Sequence, residues 1–535
     1  MAKSTTSRFT ALALAINGLI VLAASGQPTN LLNNPGFEIN SPGQDTNVVQ
    51  WQLYGANTFV ETSPLGSSLA HGGTNYFKVS SATNGTVNYD GCYQDYISGP
   101  GATYSADGWM YTASSDTIAG QNQAWIEVTF RDPSANMLAL YRTALLNTNL
   151  IASGTFPKNQ WNHLQITNQY DINSFQVTNT VTQLVAPPGT AFVRYQIVFQ
   201  GDAANSHGSA YFDDMNILRT SSAPYGNMNI VWDDEFNGSN INPNVWTYDL
   251  GNGGSNPGWG NNELEYYTSR TNNAYVANGL LHIVARQEST NGFSFTSARM
   301  KTEGLFSFTY GRIEWRAQLP YGMGFWPALW MLGTNINSVG WPTCGEIDVV
   351  ENTGTNTTMV QSSIHYGGDG TAIYNFTNHT AVTNFHTYTL DWTTNALLFY
   401  VDGHLFESQT GWGNGGGPYP FPFNQPFFLI MNLAVGGNYV QNPSVSTIET
   451  QTTFPGEILV DYVRIYRTTD PLQISITQTP SNILLSWPSN IICNLQGQTN
   501  STSGIGTNWY PISTTTNQLQ LLPVVGSAFY RLTSP

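Results

Sequence analysis

Along nearly the whole chain, short stretches alternate apolar and polar residues at every second position, and turns rich in Gly, Asn and Pro separate them. A period of two is that of a β-strand with one buried face, because successive side chains point to opposite sides. No stretch sustains the 3.6-residue period of an amphipathic helix, so the pattern predicts an all-β molecule. Residues 310–319, YGRIEWRAQL, show it clearly: Ile313, Trp315, Ala317 and Leu319 form one face, and Arg312, Glu314, Arg316 and Gln318 the other. The alternation predicts that this second, charged face is solvated.

Residues 344–352, CGEIDVVEN, break the rule. Ile347 and Val349 take one face and leave Glu346 and Asp348 on the other, so regular alternation would send Glu351 to the apolar side. Burying an unpaired carboxylate there costs on the order of several kcal/mol. A β-bulge at Val349 or Val350 removes the conflict, since one extra residue resets the alternation and turns Glu351 toward the face of Glu346. Three acids then line one surface. Two carboxyl groups about 5–5.5 Å apart are the apparatus of a retaining glycosidase, one the nucleophile and the other the general acid and then base. Asp348, between them, can hold or share a proton and separate their pKa values.

Two changes of texture divide the chain, RTSSAPYGNMN at 219–229 and RTTDPLQ at 467–473, both polar, turn-rich and containing Pro. They predict three units at about 28–220, 227–467 and 470–535. Before them, Lys3 and Arg8 precede an apolar run from Ala11 to Ala24 and small residues at Ser25 and Gly26. That order is a secretory signal over residues 1–26, and the run is short for a membrane span; an uncleaved anchor is the alternative. The expected location is therefore secreted, meaning extracellular, or periplasmic or surface-bound in a bacterium.

Composition narrows the partners. A formal charge of −16 disfavours nucleic acid and anionic membrane, which need basic patches. Charged residues are 9% and aromatics 13%, which suits an uncharged polysaccharide. Cys92, Cys344 and Cys493 fall in three different units with no metal-type spacing, and read as small buried residues.

The flanks of the acidic stretch carry a resemblance. YGRIEWRAQLPYGMGFWPALWMLGTN precedes it and SSIHYGG follows; further out stand VWDDEFNG, GWGNNELEYYT, ANGLLHIVAR, FHTYTLDW, YVDGHLF, QPFFLIMNLAVGGN and FPGEILVDYVRIY. In this order, over about 240 residues, the motifs resemble glycoside hydrolase family 16, in particular its bacterial laminarinase-like endo-1,3-β-glucanases. The resemblance implies a central jelly-roll β-sandwich with a concave substrate cleft. It implies Glu346 as nucleophile, Asp348 as assisting acid and Glu351 as acid/base. For substrate binding it implies Trp326, Trp330, Arg299, His365 and Asn432, with Trp259 as a further cleft residue, Trp330 also reading as core. Catalysis needs no cofactor; a structural calcium would take Glu235, the Gly279 carbonyl and Asp461, hard oxygen ligands of the kind Ca²⁺ prefers. The implied partner is a β-glucan, met by a monomer. Mixed-linkage 1,3-1,4-β-glucan or a marine galactan is the alternative substrate, because ENTGTNTT after Glu351 departs from the usual laminarinase pattern. A non-catalytic glucan-binding protein is the alternative of another class.

The first unit opens with NLLNNPGFE and closes with SAYFDDMNIL, and resembles jelly-roll carbohydrate-binding modules. In those modules calcium often sits near terminal acids, which makes Glu38 and Asp213 candidates. The last unit resembles the small immunoglobulin-like modules at the C-terminus of exported bacterial enzymes.

Overall fold

The computed structural model describes residues 29–468, apart from 40–47, 56–69, 81–86, 202–205, 222–224, 377–380 and 414–415, and beyond 468 only separate strand segments within 475–533. The expected leader and Cys493 lie outside the described residues. Strands dominate, and the described α-helices are short: Thr148–Ala152, Ile336–Val339 and Val445–Gln451. No described helix is long and apolar enough to cross a membrane.

Two sheets pack face to face between residues 228 and 468. One runs Thr247–Asp249, Arg299–Lys301, Phe427–Val435, Phe325–Gly333, Glu346–Glu351, Met359–His365, Asp369–Asn375, every neighbour antiparallel. Facing it, Gly456–Thr468 pairs with Met228–Asp234, Leu280–Thr290 and Gly311–Gln318, and the layer continues through His386–Trp392, Leu397–Val401 and His404–Gln409. Their inner faces interdigitate: Ile313, Trp315 and Ala317 from one, Leu329, Met331, Ile347, Leu429 and Met431 from the other. This is the alternation of period two acting at the scale of a layer.

The N-terminal part has its own pair of layers. Thr103–Tyr111 and Ser209–Arg219 anchor one, and Asn88–Ile97, Phe192–Gly201 and Gln123–Arg131 the other, around a core that includes Phe77, Met110, Ile126, Val128, Ile197 and Phe212. Near the C-terminus, Ser475–Gln478, Ile483–Ser486 and Gln518–Leu521 form one three-stranded sheet, and Tyr510–Ile512, Asn494–Thr499 and Ala528–Thr533 another.

One sequence expectation fails. The charged face of Gly311–Gln318 is not solvated at its start: Arg312 is 0% and Glu314 5% exposed. The reason is tertiary. Ile97, Ala191 and Phe192 of the N-terminal part and Tyr225 of the connection cover that face, packing with Ala396, Leu398, Tyr400 and Tyr466. Strand alternation reports which side chains share a face, not what comes to lie on it.

Candidate functional site

The strand Glu346–Glu351 carries the irregularity. Against Phe325–Gly333, Leu329 pairs with Val350 but Trp330 with Asp348, so Val349 has no partner. On the other side the register passes from Asp348 and Ser363 to Glu351 and Gln361, leaving Ser362 opposite two valines; its hydroxyl donates to the Val349 carbonyl at 2.7 Å. That is a β-bulge. Val349 and Val350 both enter the core, and Glu346, Asp348 and Glu351 share the outer face.

Each glutamate is held by a different indole. Trp326 Nε1 donates to Glu351 Oε1 and Trp341 Nε1 to Glu346 Oε2, each at 2.9 Å. Asp348 faces His365, whose Nε2 lies 3.2 Å from Oδ2, while the His365 Nδ1 is 2.7 Å from Asp369. Ligating atoms of Glu346, Asp348 and His365 all lie within 4.8 Å of one another.

Enclosure and crowding set the protonation. Burial first, then repulsion from Asp348, pushes Glu346 up to about 8, against the pull of His365 and Arg299 and the Trp341 hydrogen bond. Burial and Glu351 push Asp348 up to about 7, and burial pushes Glu351 to about 7 despite its bond from Trp326. Burial opposes a charge on His365, yet hydrogen bonding and attraction from Asp348, with Glu346 and Asp369 adding, raise it to about 10. The site therefore holds an imidazolium beside three carboxyls that retain protons near neutrality. Glu346 keeps more contact with solvent than Asp348 or Glu351, at 4% and 8% exposure, and meets both cations. Of the three it is nevertheless pushed up furthest, because burial and the neighbouring Asp348 outweigh those cations.

The other expected binding residues gather beside the acids. Trp330, on the outer face, donates from Nε1 to Asn432 Oδ1 at 2.7 Å, and the Asn432 amide donates to Tyr267 Oη at 3.0 Å. Arg299 pairs in register with Asn432 and lies between the rings of Trp259 and Trp330, 4.7 and 4.8 Å from their centroids, with Asp249 3.0 Å from its Nε. Trp330 is 9% exposed, so its ring is mostly wall and its edge is spent on Asn432.

Sequence reasoning missed Trp341, although it stands five residues before Glu346 in the same stretch. It also missed Tyr439, which stacks on Trp326 with centroids 5.0 Å apart. Both sit outside strands, where alternation gives no signal.

The calcium candidates meet other partners. Glu235 accepts two hydrogen bonds from Arg464, at 2.6 and 2.8 Å, and Asp461 one from Arg316 at 2.5 Å. Gly279 sits in a left-handed turn two residues before Leu281, which pairs with Val460, so the chain brings the three neighbourhoods to one region. Carboxylates already neutralised by guanidinium do not form a cation cage as arranged. In the N-terminal part, Glu38 accepts from the amides of Thr74 and Asn75, and Asp213 from those of His71 and Gly72. Their oxygens tie down a loop.

Comparison with known proteins places this geometry in a lineage. Residues 261–464 match the glycosyl hydrolases family 16 model. The chain is 40% identical over 272 residues to a beta-glucanase of Rhodothermus marinus, a match covering 46% of this chain and 88% of that one. It is 36% identical over 303 residues to glucan endo-1,3-beta-glucosidase A1 of Niallia circulans, covering 52% of this chain but only 43% of that longer protein. A glucan endo-1,3-beta-glucosidase of Cryptopygus antarcticus is 35% identical over 265 residues, 46% of this chain and 95% of its own. Since two of these relatives are matched over almost their whole length, the chain belongs to glycosyl hydrolase family 16.

Proposed function

We propose that the chain is an exported endo-glycosidase that cleaves internal β-1,3 bonds of laminarin-type glucans with retention of configuration. What carries the reading is the bulged strand: Glu346 and Glu351 stand on one face, each fixed by an indole N–H, with Asp348 and His365 alongside. The names of the relatives support the substrate class.

In the first step the Glu346 carboxylate attacks the anomeric carbon while Glu351 gives its proton to the departing glycosidic oxygen, and the C–O bond breaks. In the second, Glu351, now a carboxylate, takes a proton from water; the water oxygen bonds the anomeric carbon and Glu346 leaves. His365 and Arg299 offset the charge on Glu346, and Asp348 exchanges a proton within the cluster. Trp326, near the acid/base, offers an indole face to the flat side of a pyranose. The open face of a sheet admits a long chain, which favours internal cleavage.

Reducing-sugar release on laminarin, lichenan, curdlan and agarose tests this. Release from laminarin and curdlan, abolished in Glu346→Gln, is the expected result. Preference for lichenan would move the reading to mixed-linkage glucan, which the ENTGTNTT segment beyond Glu351 allows. Release from none of the four would overturn it.

A further inference from the structure

The covered charged face has a second consequence. Relative motion is the default for joined domains unless their interface is well buried, and here charge itself is buried between the parts. Arg312 Nη2 bonds Asp391 at 2.7 Å and the carbonyl of Ala191, from the N-terminal part, at 3.2 Å. Its guanidinium lies 4.5 Å from the Tyr225 ring centroid. Glu314 accepts hydroxyl bonds from Tyr225, from Tyr462 at 2.8 Å and from Thr389 at 3.3 Å. Around this plug lies the apolar cluster of Ile97, Phe192, Leu398, Tyr400 and Tyr466.

The backbone is continuous across the same boundary. Tyr96 bridges His404, and the Ile97 N–H donates to Gly403 O at 2.6 Å, so a strand of the N-terminal part extends the layer of Gly456–Thr468 that backs the acid-bearing front sheet, here the rear sheet. Gly403 is fixed in kind: its φ is +82°, and a Cβ there would meet the Tyr96 ring at 2.5 Å. Burial pushes His404 down to about 4, so the ring enters the interface neutral. The Asn33 side chain lies beside Tyr374 on Asp369–Asn375. That strand is the edge of the sheet bearing the acids, and its first residue, Asp369, holds His365.

We propose that the described part of residues 29–221 is a fixed brace of the hydrolase, docked on its rear sheet and lying beside the edge strand that carries Asp369, and not a module swinging on a tether. The proposal goes beyond the reading of activity and does not depend on the substrate. Removing a buried partner leaves its counter-charge or cavity on the other side, so the two parts share their stability.

Hydrogen exchange of the full-length chain in increasing urea tests it, read separately at 123–131 in the N-terminal core and 427–435 in the hydrolase core. Phe192→Ala and Leu398→Ala alter opposite sides of the interface apolar cluster and belong to neither of the two main cores. The expected result is reciprocal: each substitution lowers the urea midpoint of both segments. If each lowers only the segment on its own side, or if 123–131 opens well before 427–435 in the unaltered protein, the brace is wrong. Should either variant fail to accumulate, Tyr225→Phe removes only the hydroxyl on Glu314 and reads the same coupling. Absence of glucan hydrolysis in the unaltered chain, with reciprocal coupling present, would count against the proposed activity alone.

Discussion

Two groups of buried carboxylates lie on opposite layers of one sandwich. On the rear sheet, Asp391 has Arg312, and Glu314 has three hydroxyls. On the front sheet, Glu346, Asp348 and Glu351 crowd together, and their charge is met by His365, by the more distant Arg299 and by two indole N–H groups. Burial alone does not distinguish them; satisfaction does. The rear group is what a fold does with buried charge when position is the aim. The front group keeps its pKa values near neutrality, where a carboxyl can both give and accept a proton.

Substitutions should therefore act in opposite ways on the two groups. The largest effect belongs to the front. Glu346→Gln is expected to lower kcat on laminarin by about 10⁴-fold and Glu351→Gln by about 10²- to 10⁴-fold, measured by reducing-sugar release. Neither should destabilise. Because the Glu346 pKa is raised in the folded state, the native group costs stability increasingly as pH rises from the unfolded value toward about 8. Glu346→Gln should thus raise the thermal midpoint more at pH 8 than at pH 5, and a lower midpoint at both would break the contrast.

Next comes the rear. Arg312→Met strands Asp391 and should cost about 3–5 kcal/mol in urea titration, with kcat little changed in the fraction that remains folded. A third effect is pH-dependent. Glu351 must be protonated and Glu346 ionised to act; with Glu351 near 7 and Glu346 near 8, kcat/KM should be greatest between those values and fall roughly tenfold per pH unit above about 8. A profile flat to pH 9 would remove the protonated acid from the scheme. The smallest is Trp341→Phe, which loses one donor to Glu346, worth about 1 kcal/mol or several-fold in kcat/KM. An effect as large as that of Glu346→Gln would make Trp341 more than a hydrogen-bond donor.

The front group was readable in the sequence because it breaks a rule there. Three acids in six residues cannot share a face of a regular strand, so the bulge follows from the cost of burying charge. The rear group breaks no rule. Arg312 and Glu314 sit where a solvated face would put them, and their burial depends on Ile97 and Phe192, more than a hundred residues earlier. Trp341 and Tyr439 were unreadable for a third reason, since loop geometry and not periodicity delivers them. Glu265, in NNELEYY, stands out by no periodicity either, yet it is 0% exposed and accepts from the Val435 amide at 2.7 Å.

The bulge also makes the site depend on parity. Between Asp348 and Glu351 the facing of the second glutamate is decided by whether the number of intervening residues is odd or even, corrected by the single unpaired valine. Deleting Val349 would let the strand pair without interruption and leave one residue between the acids. Glu351 would still face outward and still stand opposite Ala328, two pairing steps from Asp348 opposite Trp330, because the bulged residue takes no place in the ladder. The hydroxyl of Ser362, which now closes the gap by bonding Val349, would have no kink to hold. One facing of nucleophile and acid is thus compatible with two chain lengths, one residue apart, and the bulge absorbs the difference.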